Sequence, residues 1–186
     1  MLSKFILRMF GWMVEKDLPQ NKKYVVIVAP HTSNWDFPIG TLGMLVMRLR
    51  FRWIGKHTVF RGPVGMFLKW IGGIPIDRSV KSSLIKQMVE LFNKQEHMIL
   101  AITPEGTRSK TSYWKTGFYY IALNAKVPIV FGYIDYKGKK LGIRDSFFPT
   151  GNIENDMEII RKFYKGKTGR HPEKQGTIKV RPRNND

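Results

Sequence analysis

Residues 24–36 read Tyr-Val-Val-Ile-Val-Ala-Pro-His-Thr-Ser-Asn-Trp-Asp. An unbroken apolar run, rich in β-branched side chains, gives way here to a polar, turn-rich segment. A run of that kind marks a strand buried on both faces of a sheet. His31 and Asp36 therefore stand just past the end of a buried strand. The pattern recurs downstream, where apolar Met98–Ile102 leads into Pro104-Glu105-Gly106-Thr107-Arg108-Ser109. In open α/β sheets, ligands bind outside the carboxyl ends of the strands. Two such ends, one with a His/Asp pair and one with a Glu/Arg pair, point to an active site.

Working outward, runs of strand length alternate with segments of helical spacing. Phe51–Ile54 reads as a short strand that delivers Lys56 to an edge, and Gly73–Asp77 as a strand ending at Arg78. Residues 37–49 and 63–71 read as helices. Ser79 can cap the next one, which places Val80, Leu84, Ile85, Met88, Val89 and Phe92 on one face. Thr116–Ala125 reads as a helix, Val127–Ile134 as a strand and Asp156–Tyr164 as a late helix. Lys165–Gly176 reads as an exposed loop, and Thr177–Val180 as a returning edge strand. This alternation predicts an α/β fold, with a largely parallel or mixed sheet flanked by helices.

At 186 residues the chain has the length of one domain. The absence of cysteine excludes a disulfide framework, a cysteine-ligated zinc and a cysteine nucleophile. A net charge of +18 attracts polyanions, either nucleic acid or an anionic membrane surface. No stretch reaches the roughly 18 uninterrupted apolar residues of a transmembrane helix. The N-terminus nevertheless carries apolar residues at 2, 5, 6, 9, 10, 12, 13 and 14, opposite a stripe of Lys4, Arg8, Gly11 and Glu15. That pattern predicts an amphipathic helix over residues 1–17, ahead of a single domain spanning 18–186. Such a helix can lie in a membrane interface or dock on the protein's own core.

The chemistry follows from residue types. A turn between His31 and Asp36 can bring the carboxylate to the imidazole Nδ1 and leave Nε2 as a base, as in hydrolytic triads. No Gly-x-Ser-x-Gly elbow supplies a nucleophile for that base, so the simplest partner is a hydroxyl on the substrate itself. The four histidines match no metal-ligand spacing, so no metal is expected. Lys56, Arg78 and Arg108 on one sheet edge suit a phosphate, while Gly106 permits a tight turn or close approach beside Glu105.

These blocks carry a family resemblance. His31-x4-Asp36, Gly73-Ile-Pro-Ile-Asp77-Arg78, Pro104-Glu-Gly-Thr-Arg-Ser109 and Val127-Pro-Ile-Val130 resemble, in order and spacing, the four blocks of the glycerolipid acyltransferases. The lysophosphatidate acyltransferases are the nearest class. Lys56 followed by Pro63, and Trp114-Lys-Thr-Gly117, resemble that family's connecting pattern. Departures are Pro30, Thr103 and Phe131, where relatives often have a polar residue, an apolar residue and a proline.

The resemblance implies transfer of an acyl group from a thioester to a lysophospholipid hydroxyl. The thioester is acyl-CoA or acyl carrier protein, acting as co-substrate with no further cofactor. It further implies that His31 is the base and Asp36 its orienter. Glu105, Gly106, Thr107 and Arg108 shape the acceptor site, with Arg108, Arg78 and Lys56 near its phosphate. With the N-terminal helix, it places the protein peripherally on the cytoplasmic side of a membrane. Two other classes compete. A nucleic-acid-binding module fits the charge but shows no recognition signature, and a phosphatase or esterase would use the same base to activate water.

Overall fold

The apolar run at 24–27 is buried throughout and splits by parity between two cores. Val25 and Ile27 face one, Tyr24 and Val26 the other, which is the period-two signature of a central strand. In the computed structural model, which describes residues 2–76 and 81–181, that strand lies at the centre of a seven-stranded sheet. The strands are β1 (Met13–Lys16), β2 (Lys23–Val28), β3 (Phe51–Lys56), β4 (Gly73–Ile76), β5 (Met98–Ile102), β6 (Ile129–Asp135) and β7 (Lys140–Phe147). Their order is β1-β7-β6-β2-β5-β3-β4. Every neighbouring pair is parallel except β6 and β7, which run antiparallel with an irregularity at Val130/Phe131. The expected mixed α/β sheet with flanking helices is therefore observed.

Helices α4 (Lys81–Lys94), α5 (Gly117–Ala125) and α6 (Ile153–Tyr164) cover one face. Met88, Phe92, Phe118, Ile121, Met157 and Ile160 meet Val25, Ile27, Leu100 and Ile129 there. On the other face, α2 (Asp36–Met47) packs through Met44 and Met47 on Tyr24, Val26, Val130 and Ile143. Helix α1 (Leu2–Met9) adds Leu7, which with Trp12 meets Ile134 and Leu141. Helix α3 (Gly62–Trp70) joins β3 to β4.

Four points of the sequence reading differ from this structure. The N-terminal helix stops at Met9; Gly11 turns the chain with φ +77°, and Met13–Lys16 joins the sheet as an edge strand. Strand β7 was not foreseen, because only its first half is buried and its second half is polar and exposed. Lys165–Gly176 is partly buried: Gly169 packs on Thr32 and Pro30, and Pro172–Lys174 forms a single 3-10 turn. After it, Val180 makes one bridge to Trp114 rather than a strand. Asp77, Arg78, Ser79 and Val80 lie outside the described residues.

Candidate active site

Past Val28 the chain turns sharply, and the turn is built around one carboxylate. His31 Nδ1 lies 2.9 Å from Asp36 Oδ2. The same oxygen accepts the N–H groups of Thr32 at 2.9 Å and Ser33 at 3.0 Å. Oδ1 accepts the hydroxyl of Tyr136 at 2.7 Å. Burial pushes the Asp36 pKa up, but the hydrogen bonds from His31, Tyr136 and Ser33 outweigh it and hold the group below its ordinary value. An ionised carboxylate only accepts, so Nδ1 must carry the ring proton and Nε2 the lone pair. A fifth of the His31 side chain remains exposed while Asp36 is buried. The imidazole is thus held from beneath by Asp36, with one side open.

Glu105 fixes the same turn from the neighbouring strand. β5 lies beside β2 in parallel, with Ile27 opposite Ile102, so the two carboxyl ends coincide. Glu105 Oε1 accepts the backbone N–H of His31 at 3.0 Å. Its other oxygen, Oε2, is buried with no hydrogen-bond partner among the described residues. Burial is the main cause that pushes the Glu105 pKa up to about 7, against the lowering effect of its backbone hydrogen bonds. Gly106 follows at φ +65°, and a Cβ there would fall 2.8 Å from Lys115 Cε. Glycine therefore serves both a left-handed turn and the close passage of a lysine side chain.

Of the remaining expected residues, those that are described share the edge without bonding to His31 or Asp36. Lys56 ends β3, next to β5, and is exposed; Thr107 and Arg108 are exposed on the loop after Glu105. Thr107 Oγ1 accepts the N–H of Ser109 at 3.2 Å. None of the three makes a hydrogen bond or ion pair with His31 or Asp36 among the described residues. Arg78 lies outside the described residues.

Several functional contacts escaped the sequence reading. Tyr136 follows β6, which is parallel to β2. The carboxyl-edge argument that selected His31 therefore also covers it, but Lys137-Gly138-Lys139 reads as a plain surface turn. Its ring packs edge-on against Trp12 at 5.1 Å, which ties the N-terminal segment to Asp36. The loop after α6 also reaches the site. Thr168 O accepts the N–H of Tyr136 at 2.8 Å, and Thr32 Oγ1 accepts that of His171 at 3.1 Å.

Two expected results follow from this geometry. Tyr136→Phe leaves a buried carboxylate oxygen without its donor, so unfolding stability at neutral pH is expected to fall by about 1–3 kcal/mol. A lowered carboxylate pKa adds stability above its unfolded value and loses it as pH falls through the folded value. The Tyr136→Phe deficit should therefore shrink towards pH 3, and denaturant unfolding at several pH values measures it. Glu105 has the opposite sign. Its folded pKa of about 7 exceeds the ordinary 4.5, so the buried acid is favoured at low pH and its ionisation is a penalty at high pH. Relative to Glu105→Gln, the wild type is expected to lose roughly 3 kcal/mol between about pH 5 and pH 8. A flat difference across that range would mean Glu105 ionises without penalty.

Comparison with known proteins fits these blocks. The family model described as Acyltransferase matches residues 13–133. A 1-acyl-sn-glycerol-3-phosphate acyltransferase of Haemophilus influenzae is 28% identical over 131 residues, covering 66% of this chain and 53% of the relative. The human 1-acyl-sn-glycerol-3-phosphate acyltransferase beta is 29% identical over 140 residues, covering 72% and 49%. The chain thus spans about half the length of these curated relatives. Among solved structures, the lysophosphatidate acyltransferase PlsC of Thermotoga maritima superposes with a TM-score of 0.57 at 20% identity, over 88% of this chain and 72% of that one. This likeness supports the fold.

Proposed function

From the premise that the chain belongs to the acyltransferase family, we propose that it moves a fatty acyl group from a thioester to the free hydroxyl of a lysophospholipid. The donor is acyl-CoA or acyl carrier protein, and the acceptor is 1-acyl-glycerol-3-phosphate, giving phosphatidate. The observation that carries this reading is the 2.9 Å contact of His31 Nδ1 with Asp36, which frees Nε2 to act as base. Nε2 takes the hydroxyl proton as that oxygen bonds to the thioester carbonyl carbon. The C–S bond then breaks, and the imidazolium returns the proton to the departing thiolate. With no cysteine and no nucleophile elbow, the acyl group passes directly between substrates.

Lys56 and Arg108 stand on the edge where the acceptor's phosphate would sit; Arg78, outside the described residues, is a third candidate from sequence alone. Glu105, Gly106 and Thr107 shape the loop between base and cations. The acceptor is a lipid, and the exposed Leu2, Phe5 and Met9 of α1, with Phe10 just after it, suit contact with an anionic membrane surface on its cytoplasmic side. Among the described residues no helix is long and apolar enough to cross a membrane.

The test is thiol release from an acyl thioester with and without lysophosphatidate. Release that needs the acceptor, with phosphatidate as product, supports the reading; equal release without it would make the protein a thioester hydrolase. Arg108→Ala is expected to lower kcat/KM for the acceptor about ten- to a hundredfold, the value of a charge-assisted bond to phosphate. Arg181→Ala, at the far end of the chain, should do almost nothing. A dephosphorylated acceptor should erase the difference between the Arg108 variant and wild type.

A further inference from the structure

Among the described residues, every large apolar side chain left exposed, apart from Phe148 and Ile159, falls within residues 2–70. Helix α3 is the most open of these elements. It buries only Gly65, whose missing Cβ lets the helix sit on the Phe60 backbone. Val64, Met66, Phe67 and Trp70 are 65%, 74%, 55% and 81% exposed. A surface helix of a soluble domain ordinarily turns such residues inward.

The topology puts α3 on the same face of the sheet as α2, and α1 packs on α2 towards the other end of that face. The steps from β2 to β3 and from β3 to β4 run in the same direction across parallel strands. Right-handed crossovers therefore carry α2 and α3 to one face. Ring contacts agree: Phe37 of α2 meets Trp53 of β3 at 5.4 Å, and Trp53 meets Phe60, just before α3, at 5.6 Å. Helix α1 packs against α2 through Leu7 on Leu42 and Val46.

Charge identifies what this surface meets. Residues 37–76 contain Arg48, Arg50, Arg52, Lys56, Arg61 and Lys69 and no Asp or Glu. Exposed aromatics among cations, with no acid over forty residues, match the interfacial zone of an anionic bilayer, where Trp sits at headgroup level. We propose that α3 is a second lipid-inserting element. Trp70, Phe67 and Met66 enter the bilayer surface at one end of this face and α1 at the other, so the enzyme docks through two separated helices and not by an N-terminal anchor alone. This docking extends the membrane contact proposed above, and the vesicle-binding measurements that test it use no substrate.

Because the chain lacks cysteine, one introduced thiol can carry an environment-sensitive fluorophore at a single site. Trp70→Cys, Met9→Cys and Ile159→Cys place it on α3, on α1 and on α6, on the opposite face. With phosphatidylglycerol/phosphatidylcholine vesicles, the probes at 70 and 9 are expected to shift to the blue and to be quenched by spin-labelled acyl chains. The probe at 159 should stay unchanged. The double change Phe67→Ser, Trp70→Ser should weaken vesicle partitioning at least about tenfold with an unchanged Tm. A solvent-like probe at 70 in vesicle-bound protein overturns the proposal, as does failure of the protein to bind vesicles. So does protection of position 70 by an acidic carrier protein in place of vesicles. Thiol release from detergent-dispersed substrates, run in parallel, separates these outcomes from the acyl-transfer reading. Insertion without transfer defeats only the latter, and transfer without insertion only the former.

Discussion

His31→Ala is expected to lower acyl transfer by about two to four orders of magnitude, the usual contribution of a positioned base, while leaving the fold in place. The structural half of that expectation comes from the way the turn is built. Removing the imidazole takes one donor from Asp36 but leaves Thr32 N, Ser33 N and the Tyr136 hydroxyl on its oxygens. Glu105 still binds the backbone N–H of residue 31, a contact that does not depend on the side chain. Unfolding temperature and lysophosphatidate affinity should therefore stay near wild type, with kcat carrying the loss. If the acyl group passes directly between substrates, as proposed, mass spectrometry of wild type mixed with donor alone should show no added acyl mass. A His31→Ala variant keeping more than about a tenth of wild-type turnover would falsify the assignment of His31 as base.

The sequence displays the site where a side chain follows directly from a buried strand. Tyr24–Ile27 and Met98–Ile102 are apolar enough to be read as strands unaided. Parallel pairing of β2 and β5 then brings His31, Asp36 and Glu105 together, as their positions after those strands suggest. What stayed hidden depends on partners distant in the chain. Met13–Lys16 continues a helical apolar pattern, and only pairing with β7, some 127 residues on, makes it a strand. Tyr136 shows its role only because Asp36 is buried beneath it. The exposed arc of α1 was legible, yet Leu7, on which the helix docks, was not singled out, since one buried leucine leaves no periodic mark. For the same reason residues 1–16 are not a removable anchor. Their deletion would take away an edge strand and the Trp12 ring that backs Tyr136, so point substitutions on α1 and α3 are the sounder probes of membrane contact.

Asp36→Asn is expected to lose about as much activity as His31→Ala, and for a reason that the hydrogen bonds make specific. Oδ2 of Asp36 receives three donors, the His31 ring and two backbone N–H groups. An asparagine that keeps its oxygen in that place preserves all three, but its NH2 then faces the Tyr136 hydroxyl, which loses its acceptor. The neutral amide also no longer stabilises the imidazolium formed as the base takes its proton. An asparagine turned the other way aims its NH2 at two buried N–H groups and at Nδ1. Nδ1 must then accept, so the ring proton moves to Nε2 and the base is gone. The first arrangement weakens the base and the second removes it, so a fall of about two to four orders of magnitude in kcat is expected either way. Proton NMR distinguishes this from a general loss of structure, because the low-field signal of the Nδ1 proton should shift or vanish while the methyl signals of the Val25 and Ile27 core persist. An Asp36→Asn enzyme within about threefold of wild type, with that proton unchanged, would leave Asp36 as the cap of a turn and nothing more.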